Sequence, residues 1–389
     1  MKLSFGVVAG AGALVALVVA YRRQRVDEDG ALRESTRLHT ERFTTAVSQL
    51  GDDSAAVRLG GVHALAGLAD DAPTRALRQT CIDVLCAYLR LPYTAEADLA
   101  VGEAAARQTY LALREVRHTV IRLVRDHLRL PVEHQHSWRD HDLDFTDVIF
   151  DGGDFSRSVF SGGIVRFTGA VFPGNAVSFA GVCFSGGTVD FSGARVCGGT
   201  LAFTDSSFSG GAADFSRSAF SSGTVDFSGS VFSGCAVAFS GSGFSGGTVD
   251  FSGAAFCGAA ADFSSATFSA GRVSFDGAIF SQGTVGFEAA EFSGSRIGFN
   301  GAQFSGGMVR FDDVTFSGGR VMFTDTLFSA GLVGFEGAAF IGATVHFDHR
   351  TFSGGRADFT NARGTAPTGL LPTSGPNVPP PGLTVPPGW

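Results

Sequence analysis

Seven residues, Gly241 to Gly247 (GSGFSGG), match two chemical motifs at once. From Gly241 they read G-x-G-x-x-G, a loop whose glycines let a dinucleotide pyrophosphate approach the backbone. From Gly243 they read G-x-S-x-G, the sharp turn that presents a nucleophilic serine, here Ser245. Elsewhere, His134, His136 and His141 in HQHSWRDH supply imidazoles of the kind zinc takes. Each chemistry needs a frame. The dinucleotide loop needs a strand before it, a helix after it and an acidic residue about twenty positions on, and the elbow needs downstream Asp and His partners. Instead, Gly247 leads directly into TVDFSG, another F-S-G, and serines equivalent to Ser245 recur at Ser209, Ser233, Ser269 and Ser305. The motif is one instance of a repeat, so neither the cofactor nor the nucleophile is expected. GGTVDF likewise lacks the middle glycine of calcium-binding glycine repeats, and HQHSWRDH, at a junction between helices and repeat, reads as a polar capping loop. We expect no catalytic, cofactor or metal residues and no enzyme.

The frame is visible in composition, with 54 glycines and 38 phenylalanines among 389 residues. Phe145, Phe150, Phe155 and Phe160 are five apart; from Phe160 the spacing alternates seven and five, through Phe167, Phe172, Phe179 and Phe184, with one exception at Val196. The result is seventeen copies of a twelve-residue unit close to A-x-F-S-G-G-T-V-D-F-S-G. Gly243 stands where Val231, Ala255, Thr267 and Ile279 stand in other copies. Alternation at period two followed by glycine describes a short strand and a corner. One unit cannot bury its own ring, but stacked coils can, each covering the next. Phe191, Phe203, Phe215, Phe227, Phe239, Phe251, Phe263 and Phe275 are the expected core, and Asp190, Asp214, Asp226 and Asp250 the expected outward interaction surface.

Leu143–Asp147, Val148–Gly152 and Gly153–Arg157, each a small or branched residue, a second residue, a central Phe and a polar pair, resemble the pentapeptide-repeat family, as do Ala254–Gly258 and Ala278–Gln282. The resemblance spans about 141–363. It implies a mainly β fold, a right-handed quadrilateral β-helix with each central Phe inward. The seven-residue sides, such as Gly223–Gly229, depart from the family pattern. The letters repeat at twelve and leave two outlines open, four sides in 24 residues or a flattened coil of twelve; the family precedent favours 24.

Before the repeat, Ser4–Tyr21 is eighteen uncharged, mostly apolar residues followed by Arg22, Arg23 and Arg25. As a helix it spans about 27 Å, close to the hydrocarbon thickness of a bilayer, and the arginines place the body in the cytoplasm. We therefore expect residues 1–25 to be a single-pass transmembrane anchor in the cell membrane; Gly6 and Gly10 add a weak G-x-x-x-G signal for self-association. Residues 26–140 read as short helices, similar to a HEAT-like hairpin around VRLGGVHALAGLADD, ending in an arginine-rich helix near 103–129. Residues 141–363 are the solenoid. Residues 364–389, with most of the twelve prolines, are expected to be a disordered tail, since proline lacks the N–H of a ladder. The six cysteines occupy unlike repeat slots, which suits reduced thiols.

Together these describe a non-enzymatic, membrane-anchored scaffold that binds an unidentified protein through the solenoid surface, with no direct nucleic-acid binding. The family resemblance implies one alternative, imitation of DNA and binding of DNA gyrase or another topoisomerase. Charge argues against it. Residues 141–363 hold 20 acidic residues against 11 arginines, whereas duplex DNA carries a charge every ~1.7 Å.

Overall fold

The computed structural model describes residues 2–100, 102, 104–348, 354–371, 379 and 381–389, with side chains from 17 onward except at 97. The chain forms two compact units, Met1–Val84 and Leu85–Trp389. The division does not fall at residue 140, because the arginine-rich helix belongs to the unit that holds the repeats.

In the first unit, α1 (Lys2–Leu50) runs without a break, so the expected anchor and the amphipathic stretch after it are one helix. Among the described residues no helix is long and apolar enough to cross a membrane, and residues 4–16 of the expected anchor lie outside those with described side chains. Helix α2 (Ala55–Asp70) packs on α1. A β-carbon at Gly61 would come within 2.6 Å of the Leu50 nitrogen and 2.9 Å of the Ala46 oxygen, so glycine is what lets the two backbones meet. Helix α3 (Arg75–Arg90) passes from one unit into the other.

The second unit is a β-solenoid of about ten turns. In the coil of residues 207–230, four short strands follow one another: Ser207–Phe208, Ala212–Asp214, Ala219–Phe220 and Thr224–Asp226. Each pairs in parallel with its equivalent 24 residues on, at Val231, Ala236, Gly243 and Thr248. The coil is therefore 24 residues with four ladders. The first coil is shorter, pairing Leu143 with Val165 and Ile149 with Val171, because its phenylalanines are five apart throughout. The first two ladders merge into one 17-stranded sheet, since Ala255–Asp262 and Ile279–Gly286 each run as a single strand through both; the other two form nine-stranded sheets.

The interior is four columns of rings. Phe191, Phe215, Phe239 and Phe263 stack at 4.8 to 4.9 Å; Phe203, Phe227, Phe251 and Phe275 do so at 4.8 to 4.9 Å. The two columns meet edge-on, as in Phe215–Phe227 at 5.6 Å and 90°, the arrangement the ring quadrupole favours. All eight are 2% exposed or less. Val196, the exception in the spacing, occupies the ring position between Phe172 and Phe220. Buried serines supply their own partners: Ser218 Oγ donates to the Phe191 carbonyl at 2.9 Å, and the Ser218 N–H donates to Ser242 Oγ at 3.1 Å.

Both ends of the stack are closed, which an unpaired edge requires. At the first coil, α4 (Ala104–Arg129) lays Val116, Val120, Ile121, Val124 and Leu128 inward, all buried. Its polar residues cover carbonyls that have no preceding coil to pair with. Arg117 donates to Leu89 and Ile149 at 2.7 Å each, Arg129 to Ser156 at 2.6 Å, and His118 Nε2 lies 3.1 Å from the Asp151 carbonyl. Trp138, fully buried, stacks on His127 at 4.1 Å.

At the last coil, the expectation of a disordered tail is corrected. Leu383–Thr384 pairs with Ala357–Asp358, Leu370 and Leu383 are buried, and Trp389 packs on Phe340 and Phe359 at 5.5 and 5.7 Å. Proline does not prevent this. A terminal edge strand can pair through acceptors alone, and here Gly382 and Thr384 carbonyls accept from the Ala357 and Phe359 N–H groups at 2.9 Å. Residues 372–378 and 380 of the tail lie outside the described residues.

Candidate interaction surface

The residues of GSGFSGG take their places in the coil. Gly247 has φ +68° and sits on the coil before it, where a β-carbon would meet the Gly223 oxygen at 2.4 Å. Its backbone closeness is to another coil. Ser245 is exposed on a corner and its N–H donates to the Phe220 carbonyl at 3.0 Å. His134 and His136 contact each other edge-on at 5.2 Å, and among the described residues no three His, Cys, Asp or Glu side chains are grouped to hold a metal ion.

The four aspartates fall in two ladders. Asp190 and Asp214 pair with each other, as do Asp226 and Asp250, on a different sheet. The structure therefore does not bring all four together. Each carboxylate is engaged by its own corner: the N–H of the residue two ahead donates to it, from Ser192, Ser216, Ser228 and Ser252, at 2.7 to 2.9 Å. This explains why the unit reads D-F-S-G, since a short carboxylate two residues before a donor closes a tight turn. Asp190 also accepts from Thr168 Oγ1 at 2.8 Å. Burial works to raise its pKa, but the bonds from Ser192 and Thr168 outweigh it and hold the carboxyl below its ordinary value. Along that column Asp214 is followed by Ala238, Asp262, Gly286 and Arg310, so the acidic run is broken.

A different surface is continuous. On the merged sheet, Ile279 pairs with Gln303 and that with Leu327, while Thr284 pairs with Met308 and that with Leu332. These outward columns carry no charge across three coils. Ile279, Met308 and Leu327 are 36%, 37% and 40% exposed. In the sequence these residues stand far apart; laying outward positions on a 24-residue period would have gathered them. The same device would have gathered Arg272, Arg296 and Arg320, which stand in consecutive coils of the fourth ladder.

Residues 145–195 match the family model for pentapeptide repeats, in nine copies. The four ladders continue past that stretch to Gly364, through the coils whose seven-residue sides depart from the five-residue pattern. No curated protein and no solved structure matches the chain.

Proposed function

We propose that this chain, a pentapeptide-repeat protein, is a non-catalytic scaffold that docks a partner protein on the uncharged wall of its merged sheet. The observation that carries this reading is the wall itself. A stacked, ring-filled solenoid is rigid, and a flat run of half-exposed Ile279, Met308 and Leu327 without charge is the surface composition that favours protein contact over water. The reading includes the membrane: Ser4–Tyr21 and the arginines behind it would hold the solenoid at the cytoplasmic face, limiting its partner to proteins that reach that surface. The alternative, imitation of DNA, has less support, because the aspartates are divided between two sheets and occupied by their corners.

The test uses the full-length chain in cells, carrying a proximity label. Neighbours labelled by the wild type and lost from the variant with Ile279→Glu, Met308→Glu and Leu327→Glu, with the fraction of carbonate-resistant membrane association unchanged, support the reading. A label pattern unaffected by the triple variant overturns the docking wall. Release of the full-length chain by carbonate overturns the anchor.

A further inference from the structure

Arg272, Arg296 and Arg320 are directly paired neighbours in three consecutive coils, so their side chains leave one face at intervals of about 4.8 Å. Like charges placed opposite one another on a sheet are destabilising. All three are exposed, and they line an open groove of 460 Å³ with Asp276, Asn300, Gly298 and Met322. The charges are not cancelled locally. Asp276 pairs with Arg272 at 3.2 Å and is also held by Asn300 through Nδ2 and N–H, at 2.9 and 2.8 Å. Among the described residues neither Arg296 nor Arg320 has a carboxylate within ion-pair distance. The groove floor is low because Gly298 stands between Ser274 and Met322 in the adjacent column.

We propose that this arginine ladder binds an anion carrying phosphoryl groups in series. A guanidinium meets a phosphate oxygen pair with two parallel donors, and a groove of this volume suits a small ligand. The coil spacing selects among anions. An acidic peptide strand offers same-face carboxylates every ~6.6 Å, so by the third arginine it is out of step by nearly a full coil. A linear oligophosphate has flexible links between its charged groups and can adjust to the ladder. Extended nucleic acid is disfavoured, because the positive column is only three coils long on a solenoid of net charge −9, from 20 acidic residues and 11 arginines in 141–363. Free oligophosphate and a polyphosphorylated lipid headgroup share the required chemistry.

Calorimetric titration of the purified full-length chain with inorganic tripolyphosphate at low salt tests the proposal, beside flotation with vesicles containing a bisphosphorylated inositol lipid and with plain phosphatidylcholine vesicles. Arg296→Gln with Arg320→Gln should weaken binding roughly a hundredfold, about tenfold per charge-assisted contact. Arg195→Gln, on another ladder, should change it less than about twofold. Tripolyphosphate binding alone identifies a free oligophosphate, and vesicle binding that depends on the inositol lipid and on both arginines identifies a headgroup. No binding to either, equal loss with Arg195→Gln, or arginine-dependent binding of a DNA duplex tighter than that of tripolyphosphate would overturn the proposal.

Discussion

Replacing Phe251 with alanine removes one ring from the middle of a column. The ring is fully buried and lies between Phe227 and Phe275, each 4.9 Å away and within 3° of parallel. Phe239 and Phe263 meet it edge-on at 5.7 and 5.9 Å, and Phe232 and Phe256 lie tilted at 6.3 and 6.2 Å. Loss of a buried Phe side chain costs about 3–5 kcal/mol from lost transfer energy and the cavity, and each well-placed ring pair adds about 0.5–1.5 kcal/mol beyond area. The backbone above and below is fixed by ladders, so the cavity cannot collapse, and we expect the upper end, about 5 kcal/mol. Ser252 is the adjacent residue on the opposite side of the backbone. It is half-buried and loses one contact, Oγ to Ser274 Oγ at 2.9 Å, so Ser252→Ala should cost about 1 kcal/mol or less. Urea unfolding followed by tryptophan fluorescence separates the two. Both tryptophans, Trp138 and Trp389, belong to the solenoid unit, one at each end of the stack. A Ser252→Ala cost equal to or above that of Phe251→Ala would refute the column as the source of stability.

Three further outcomes are expected. Gly253 has φ +66° with open space around a would-be β-carbon, while Ala289 occupies the equivalent corner at φ +56°; Gly253→Ala should cost about 1 kcal/mol and Ala289→Gly should gain about as much, read as shifts in the urea midpoint. Arg117→Met strands the Leu89 and Ile149 carbonyls and should cost about 2–3 kcal/mol, against under about 1 kcal/mol for Arg122→Met, which loses only a 3.2 Å bond to Thr119. Burial keeps the His118 imidazole below its ordinary pKa, so the unfolded chain takes up a proton that the folded chain refuses and stability falls as pH drops below about 6.5. His118→Gln should abolish that limb in urea midpoints measured between pH 7.5 and 5. The acid loss below about pH 4 should remain, because Asp151, Asp154 and Asp190 are held below their ordinary pKa when folded.

The ring columns were legible in the sequence because a Phe every five or seven residues leaves few ways to bury it. Coil length was not, since the letters repeat at twelve and the choice of 24 rests on which strands pair, a three-dimensional fact. The arginines of α4 read as a solvated or basic surface; what turns Arg117 and Arg129 inward is the bare carbonyl edge of the first coil, which no local pattern announces. The tail was misread because the missing N–H of proline was taken to bar pairing, whereas the final strand needs only the carbonyls of Gly382 and Thr384. The candidate site was hidden in a similar way. Ile279 and Leu327, or Arg296 and Arg320, become neighbours or near neighbours only once the chain has wound through one or two full coils.

The 24-residue coil is the central claim, and disulfide trapping measures it. Thr224 and Thr248 are paired across adjacent coils, within the α-carbon separation a disulfide spans, roughly 4.4–6.8 Å. Ala236, twelve residues from Thr248, lies on another sheet, paired with Ala212 and Ala260. In a full-length chain whose six native cysteines are replaced by serine, mild oxidation should close Thr224→Cys with Thr248→Cys into an intramolecular bond. Ala236→Cys with Thr248→Cys should remain as two thiols. Bond formation by the twelve-residue pair, and none by the 24-residue pair, would contradict the coil, and with it the outward columns on which both proposed surfaces depend.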